Sequence, residues 1–177
     1  MFKHLFSRIC RQQRLQCVGK RRFWLVASRM TLNPLKELET ALTEGGLRAG
    51  LVFLNARVAH RCTAVYRLDS NVLRLVELVD KLNDKSSSGP PGVPLADSFC
   101  QFVIDNGPLL VVNAKMDARI IASPYRGPVV GYVGLPLTRS PGELFGTFCH
   151  YDFCEQPMPD EEYLFLHAAA RLLPKFV

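Results

Sequence analysis

The sequence predicts an α+β domain in which an antiparallel sheet lies between helices and a loop-built cavity forms on one side. Three observations predict it. Two hairpins are signalled: Asp69, Ser70 and Asn71 separate the apolar-rich runs 62–68 and 72–80, and Ser140, Pro141 and Gly142 separate the runs 129–137 and 143–151. The second pair of runs carries large apolar side chains on both faces, which calls for a sheet covered on both sides. Helical spacing of leucines appears near both ends of this region, before the first hairpin and after the second.

The first helix is expected to start at Asn33 and Pro34, a capping residue followed by proline at the first helical position. Leu35, Leu38 and Leu42 mark its buried face, and Gly45 and Gly46 end it. A second helix starts near Leu47, with Leu47, Leu51, Leu54 and Val58 at helical spacing until the chain turns extended near Arg61. After the first hairpin, residues 83–92 change to Asn, Asp, Lys, Ser, Gly and Pro, the composition of a mobile loop within one domain. Ser98 and Gln101 have the spacing of a capping box ahead of Phe102 and Val103, and Gly107 with Pro108 stops that helix. Residues 109–112 make a short buried strand, and a loop rich in Pro and Gly leads to the second hairpin. The last helix covers 160–173. Its positive amino end suits Asp160, Glu161 and Glu162, while Tyr163, Leu166, Ala170 and Leu173 form a docking face ended by Pro174.

A chain of 177 residues with 48% hydrophobic content holds one domain and a tail, divided as a leader of residues 1–30 and a domain of residues 31–177. The leader has eight Lys and Arg and no acid, so of the net +6 it carries +8 and leaves the rest at −2. The basic pI therefore belongs to the leader, and nucleic-acid binding is not expected of the domain. Three readings of the leader stand: an extension outside the mature fold with the true start at Met30, a basic surface-binding tail, or an organelle-targeting peptide. The first is preferred because a basic, acid-free segment buries too little apolar surface to order itself. The apolar run 23–27 is too short for a membrane span of roughly 20 residues, and a soluble cytoplasmic protein is expected. The six cysteines, at 10, 17, 62, 100, 149 and 154, do not have the spacing of a disulfide framework, so reduced thiols are expected.

Among single residues Cys100 has the sharpest chemistry. Two positions after the Ser98 cap, free backbone N–H groups and the helix dipole favour its thiolate; the competing and preferred reading is a small packed side chain beside Phe99. Cys149, His150 and Cys154 suggest a metal, but neighbours in a strand point to opposite faces. His60 with Cys62, and His167, have no recognised ligand spacing, so no metal is expected. The chain has no G-x-S-x-G, no Gly-rich phosphate loop and no His-Glu-x-x-His.

Ser98-Phe99-Cys100, then Gly107-Pro108 with the strand 109–112, Asn113, Ala114 and Asp117, the run Tyr132-Val133-Gly134-Leu135-Pro136-Leu137, and the run from Gly146 through Thr147, Phe148, Cys149, His150 and Tyr151 to Asp152 stand in one order. Read together, they resemble a GAF domain, the small ligand-sensing fold of bacterial signalling proteins and cyclic-nucleotide phosphodiesterases. The resemblance extends from about Leu35 to Leu173. It implies a regulatory module that binds a small ligand or a protein partner and passes on a conformational change, leaving the ligand and any cofactor unspecified. The implied pocket lies between the sheet and residues 99–128. Tyr66, Cys100, Asn113, Asp117 and Tyr132 are the residues expected to line it, as polar groups among apolar ones. Relatives often pair through their terminal helices, so a homodimer is expected. No output domain follows the fold on this sequence, and a signal is expected to leave through dimerisation or a separate protein.

Two other readings are carried. One is a thiol-based reductase of the free methionine sulfoxide type using Cys100, a branch of the family whose Ile-Ala-Cys-Asp segment is here Ile121, Ala122, Ser123 and Pro124. The other is a ligand-free dimerisation scaffold. The Asn-Lys-x-x-Asp pattern of cyclic-GMP binders is not met by the spacing of Asn113, Lys115 and Asp117, and no cysteine has a bilin-attachment context. A resolving thiol beside Cys100, Cys149 or Cys62, separates the reductase from the sensor; a filled cavity marks the scaffold.

Overall fold

The computed structural model describes residues 33–82 and 92–177. The leader 1–30, the Met30 start and nearly all of the expected loop 83–92 lie outside the described residues.

Helix α1, Pro34–Arg57, is capped by Asn33, whose Oδ1 accepts from the backbone N–H of Leu35 and of Lys36, each at 3.2 Å. The two helices read from the sequence are both present as segments of α1, separated by a kink at Gly46, where φ is 70° and ψ −170°. That positive φ is open to glycine and strained for other residues. Past the bend the two segments touch: a Cβ at Gly50 would collide with the side chain of Leu42.

Strands β1, Cys62–Asp69, and β2, Val72–Asp80, form the first hairpin, and Ser70 turns it with φ 54°. β3 is the two-residue Val93–Pro94, too short to signal itself by alternation. Helix α2, Cys100–Asn106, leads to β4, Leu109–Val111. β5, Gly131–Ser140, and β6, Glu143–Asp152, make the second hairpin around Gly142 at φ 82°. Helix α3, Asp160–Leu172, continues into a 3₁₀ turn, Leu173–Phe176, so Pro174 tightens the helix end where termination was expected.

The capping box at Ser98 does not form. Phe99 is the N-cap of α2 and offers no side-chain hydrogen bond, while Ser98 Oγ donates to Leu95 O at 2.9 Å. A 3₁₀ turn, Leu95–Asp97, precedes the helix and takes that hydroxyl as its own closure.

The sheet is antiparallel throughout, in the order β3-β2-β1-β6-β5-β4. Its period of two divides the core. On one face Val65, Val133, Leu135 and Phe148 meet Leu38, Leu42, Leu51 and Leu54 of α1 and Leu166, Ala169 and Leu172 of α3. On the other, Cys62, Ala64, Tyr132 and Cys149 meet Phe99, Cys100 and Val103 of α2 and the loop residues Ala114, Ile120 and Val129. Arg57 ties α1 to α3 by a two-pronged pair with Glu162, at 2.8 and 2.7 Å. Among the described residues no helix is long and apolar enough to cross a membrane.

Candidate functional site

A cavity of about 90 Å³ lies on the α2 face of the sheet. Its origin is in the cross-strand rows. Cys149 stands between Ala64 of β1 and Gly134 of β5, a row of small residues. The next row on that face holds Cys62, Tyr151 and Tyr132, and the row on the other side holds Tyr66 and Thr147. Small side chains between rows of large ones leave a hollow that the sheet itself does not fill. From the sheet, Tyr66, Tyr132, Cys149 and Tyr151 line it; Ser98, Phe99 and Cys100 cover it from the start of α2, and Tyr125 and Val129 from the following loop. Leu73 and Val93 complete the wall.

Gly134 has a specific part in this. A Cβ there would fall into the ring of Tyr132. With none, the ring lies across the strand, and the Tyr132 hydroxyl reaches Cys100 Sγ at 3.4 Å. Phe99 meets the same ring edge to face, with centroids 5.4 Å apart.

Cys100 and Cys149 are free thiols, 5% and 1% exposed, that line the same cavity and shift each other's ionisation. The pair shares its protons unequally. The neighbouring Cys149 thiol brings the Cys100 thiol down to about 7 against the opposing effect of burial, helped by the hydroxyls of Thr147 and Tyr132. Cys149 is pushed up by the same contact and by burial, since two adjacent thiolates would repel. Thr147 Oγ1 is buried and has no partner of good hydrogen-bond geometry, yet it stands close enough to favour the Cys100 thiolate. The activation expected from a helix start is thus traced to side-chain neighbours, and α2 is only seven residues long. Cys62, on the same face, is pushed up to about 12 by burial. Tyr66, Tyr132 and Tyr151 are raised well above the ordinary phenol value, first by burial, and stay neutral.

Of the five residues expected in the pocket, the structure brings Tyr66, Cys100 and Tyr132 together around the cavity and leaves Asn113 and Asp117 outside it. Asn113 donates to Glu155 at 2.9 Å and accepts from Lys115 N at 3.0 Å. Asp117 accepts from Arg119 N at 3.0 Å and pairs with the Arg119 guanidinium at 2.6 Å, which holds its carboxyl below the usual range. Short polar side chains fold onto nearby backbone N–H groups, and these two shape the loop that roofs the cavity. Arg119 and Arg126 extend that work by donating to the carbonyls of Leu110, at 2.7 Å, and of Ala114, at 2.9 Å. Sequence reasoning missed Ser98, Tyr125 and Tyr151 as cavity residues. Counting by twos from Cys149 finds Tyr151, but no periodicity marks a loop tyrosine.

His60 and His150 occupy the opposite face, with Thr63 Oγ1 2.6 Å from His150 Nδ1 and from Asn55 Nδ2. Among the described residues no group of three or more His, Cys, Asp or Glu is placed to hold a metal ion. Cys154 is disulfide-bonded, a departure from the expectation that all thiols are reduced.

No family model and no curated protein matches the sequence. Solved structures do match. The GAF domain of an Acinetobacter phosphoenolpyruvate-protein phosphotransferase superposes with a TM-score of 0.67 at 14% identity, over 85% of this chain and 93% of that one. Free methionine-R-sulfoxide reductase from Neisseria meningitidis gives 0.64 at 17% identity, over 85% and 91%. The chromophore-binding domain of a Stigmatella aurantiaca bacteriophytochrome gives 0.65 at 10% identity, over 88% of this chain and 62% of that one. The order of the six strands, the helices on both faces and these superpositions agree: the chain has a GAF-type fold.

Proposed function

We propose that the protein is a cytoplasmic sensory or regulatory GAF module that binds a small molecule in the cavity and signals as a homodimer. The observation that carries this is the hollow itself, walled by aromatic rings and holding thiol and hydroxyl groups at its base. Apolar walls with a few polar groups give a ligand both burial and orientation. Tyr66, Cys100 and Tyr132 touch the ligand in this reading, while Asn113 and Asp117 act through the loop they fold. A bound molecule is felt across the sheet because Cys149 faces the cavity and its neighbours Phe148 and His150 face the α1 and α3 side. The fold is shared with regulatory GAF domains, which supports the reading. Native mass spectrometry of purified protein tests it: a retained small molecule, displaced on denaturation, is expected. Absence of any retained mass, with no metabolite in a broad panel raising the melting temperature, would defeat it.

A second reading has an observation of its own. Cys100 and Cys149 are free thiols lining one cavity, and so offer an attacking and a resolving thiol, as reduction of free methionine sulfoxide requires. Against it stands Ser123 in the segment where that branch has cysteine. Turnover of methionine-R-sulfoxide with dithiothreitol, abolished by Cys100→Ser, would establish it. A scaffold has the weaker case, since a hollow of about 90 Å³ is left open.

A further inference from the structure

We infer that the cavity takes a small methylated ammonium cation, a group the size of tetramethylammonium or a trimethylammonium head, surrounded by aromatic rings. The inference rests on the reading of the cavity as a ligand site and names the ligand's class. Five rings line the hollow: Tyr66, Phe99, Tyr125, Tyr132 and Tyr151. Phe99 and Tyr132 meet at 86°, so two adjoining walls stand at right angles, as in a box. Aromatic faces carry the negative part of the ring quadrupole, and a cation enclosed by several of them is attracted without a formal counter-charge.

The other ligand classes fit less well. Among the described residues no Lys, Arg or His lines the cavity, so an anion would find hydroxyl donors there but no positive charge. It would also sit beside Cys100, the group in the cavity readiest to become negative. A metal ion or a primary ammonium is held best by carboxylate, imidazole or carbonyl acceptors, and among the described residues the lining side chains offer hydroxyls and thiols but no carboxylate and no imidazole. A methylated ammonium has no N–H to satisfy and sheds its weak hydration readily. The volume agrees as well, since a hollow of about 90 Å³ suits one compact head group. One carboxylate lies near the wall, that of Asp97, whose charge helps to raise the Tyr125 phenol after burial has done so. It adds to the negative potential that a cation meets there.

The test compares three molecules of one shape on the full chain: tetramethylammonium chloride, neutral tert-butanol and anionic pivalate, followed by saturation-transfer NMR and thermal shift. Tetramethylammonium is expected to bind about tenfold or more tighter than tert-butanol, with pivalate silent. It should also increase the ultraviolet thiolate absorbance at pH 7, since a cation in the cavity favours ionised Cys100. Tyr125→Leu, which keeps an apolar wall but removes a ring, should weaken tetramethylammonium severalfold and leave tert-butanol unchanged. If Tyr125→Leu does not fold, Asp97→Asn is read instead and should weaken only the cation. Equal or tighter binding of tert-butanol or pivalate overturns the cation and leaves a ligand site of another class. Silence of all three, together with no retained molecule in native mass spectrometry, overturns the ligand site as well.

Discussion

His60 and His150 are buried polar groups whose cost is visible. Both ring nitrogens of His60 and Nε2 of His150 are enclosed without a hydrogen-bond partner, and the rings lie 6.1 Å apart. Burial lowers both, His60 to about 4 despite the raising effect of Asp152. Since the unfolded value is about 6.5, the unfolded chain takes up protons first as pH falls. The stability tied to the neutral rings is therefore whole above about pH 6.5 and is lost as pH drops toward about 4. Urea titrations across that range should show the decline, and His60→Leu should lessen it while His150 keeps the rest, at a cost within about 1 kcal/mol at pH 7, because it removes two unsatisfied atoms. A slope unchanged by the substitution would place the acid sensitivity elsewhere. Cys100 sets ionisation against access. Its thiol is lowered but only 5% exposed, and access decides: native alkylation by iodoacetamide should be slow. Cys100→Ser should cost roughly 1 kcal/mol or more, through a hydroxyl poorly matched to that site. Rapid selective labelling, with Cys100→Ser leaving stability unchanged, would move thiol chemistry ahead of ligand binding.

Elements announced by local chemistry were legible, and those decided by distant partners were not. Asn33 with Pro34, the Gly46 bend and the Asp69-Ser70-Asn71 turn each act within a few residues, and each stands where the sequence places it. Ser98 misled because two elements compete for one hydroxyl, and the 3₁₀ turn before it wins. In the cavity Tyr66, Cys100 and Tyr132 were readable as polar residues on apolar faces. Asn113 and Asp117 have the same character, but lie in a loop whose own backbone uses them. The small row of Ala64, Cys149 and Gly134 that creates the hollow needs the register of three strands, which no single segment contains. The Gly46 bend gives a prediction at this scale. No atom lies within 4 Å of a Cβ built there, so Gly46→Ala carries only the penalty of its positive-φ backbone, roughly 1–3 kcal/mol by chemical denaturation. A neutral outcome would mean that the bend relaxes.

α1 and α3 lie on the face away from the cavity, and there Val52 of α1 and Leu164 of α3 stand 46% and 70% exposed. A homodimer through these helices should give twice the chain mass in light scattering, and Val52→Lys with Leu164→Lys should return it to monomer with the sheet intact. Monomer mass for the unaltered chain across a wide concentration range removes the idea. The middle of the sheet has a different consequence, one of timing. β1 and β6 are neighbours there although Cys62 pairs with Tyr151, so two locally formed hairpins must meet across most of the domain's length. Pairings between such distant segments are the slow ones, because loop closure precedes any reward. Tyr66 comes from the first hairpin, and Tyr132, Cys149 and Tyr151 from the second, so the cavity exists only once that seam has closed. The expected outcome is that an occupant binds only after the folding barrier is crossed, which folding and unfolding rates measured with and without it would check. An occupant then leaves the folding rate unchanged and slows unfolding alone, lengthening the life of the folded chain.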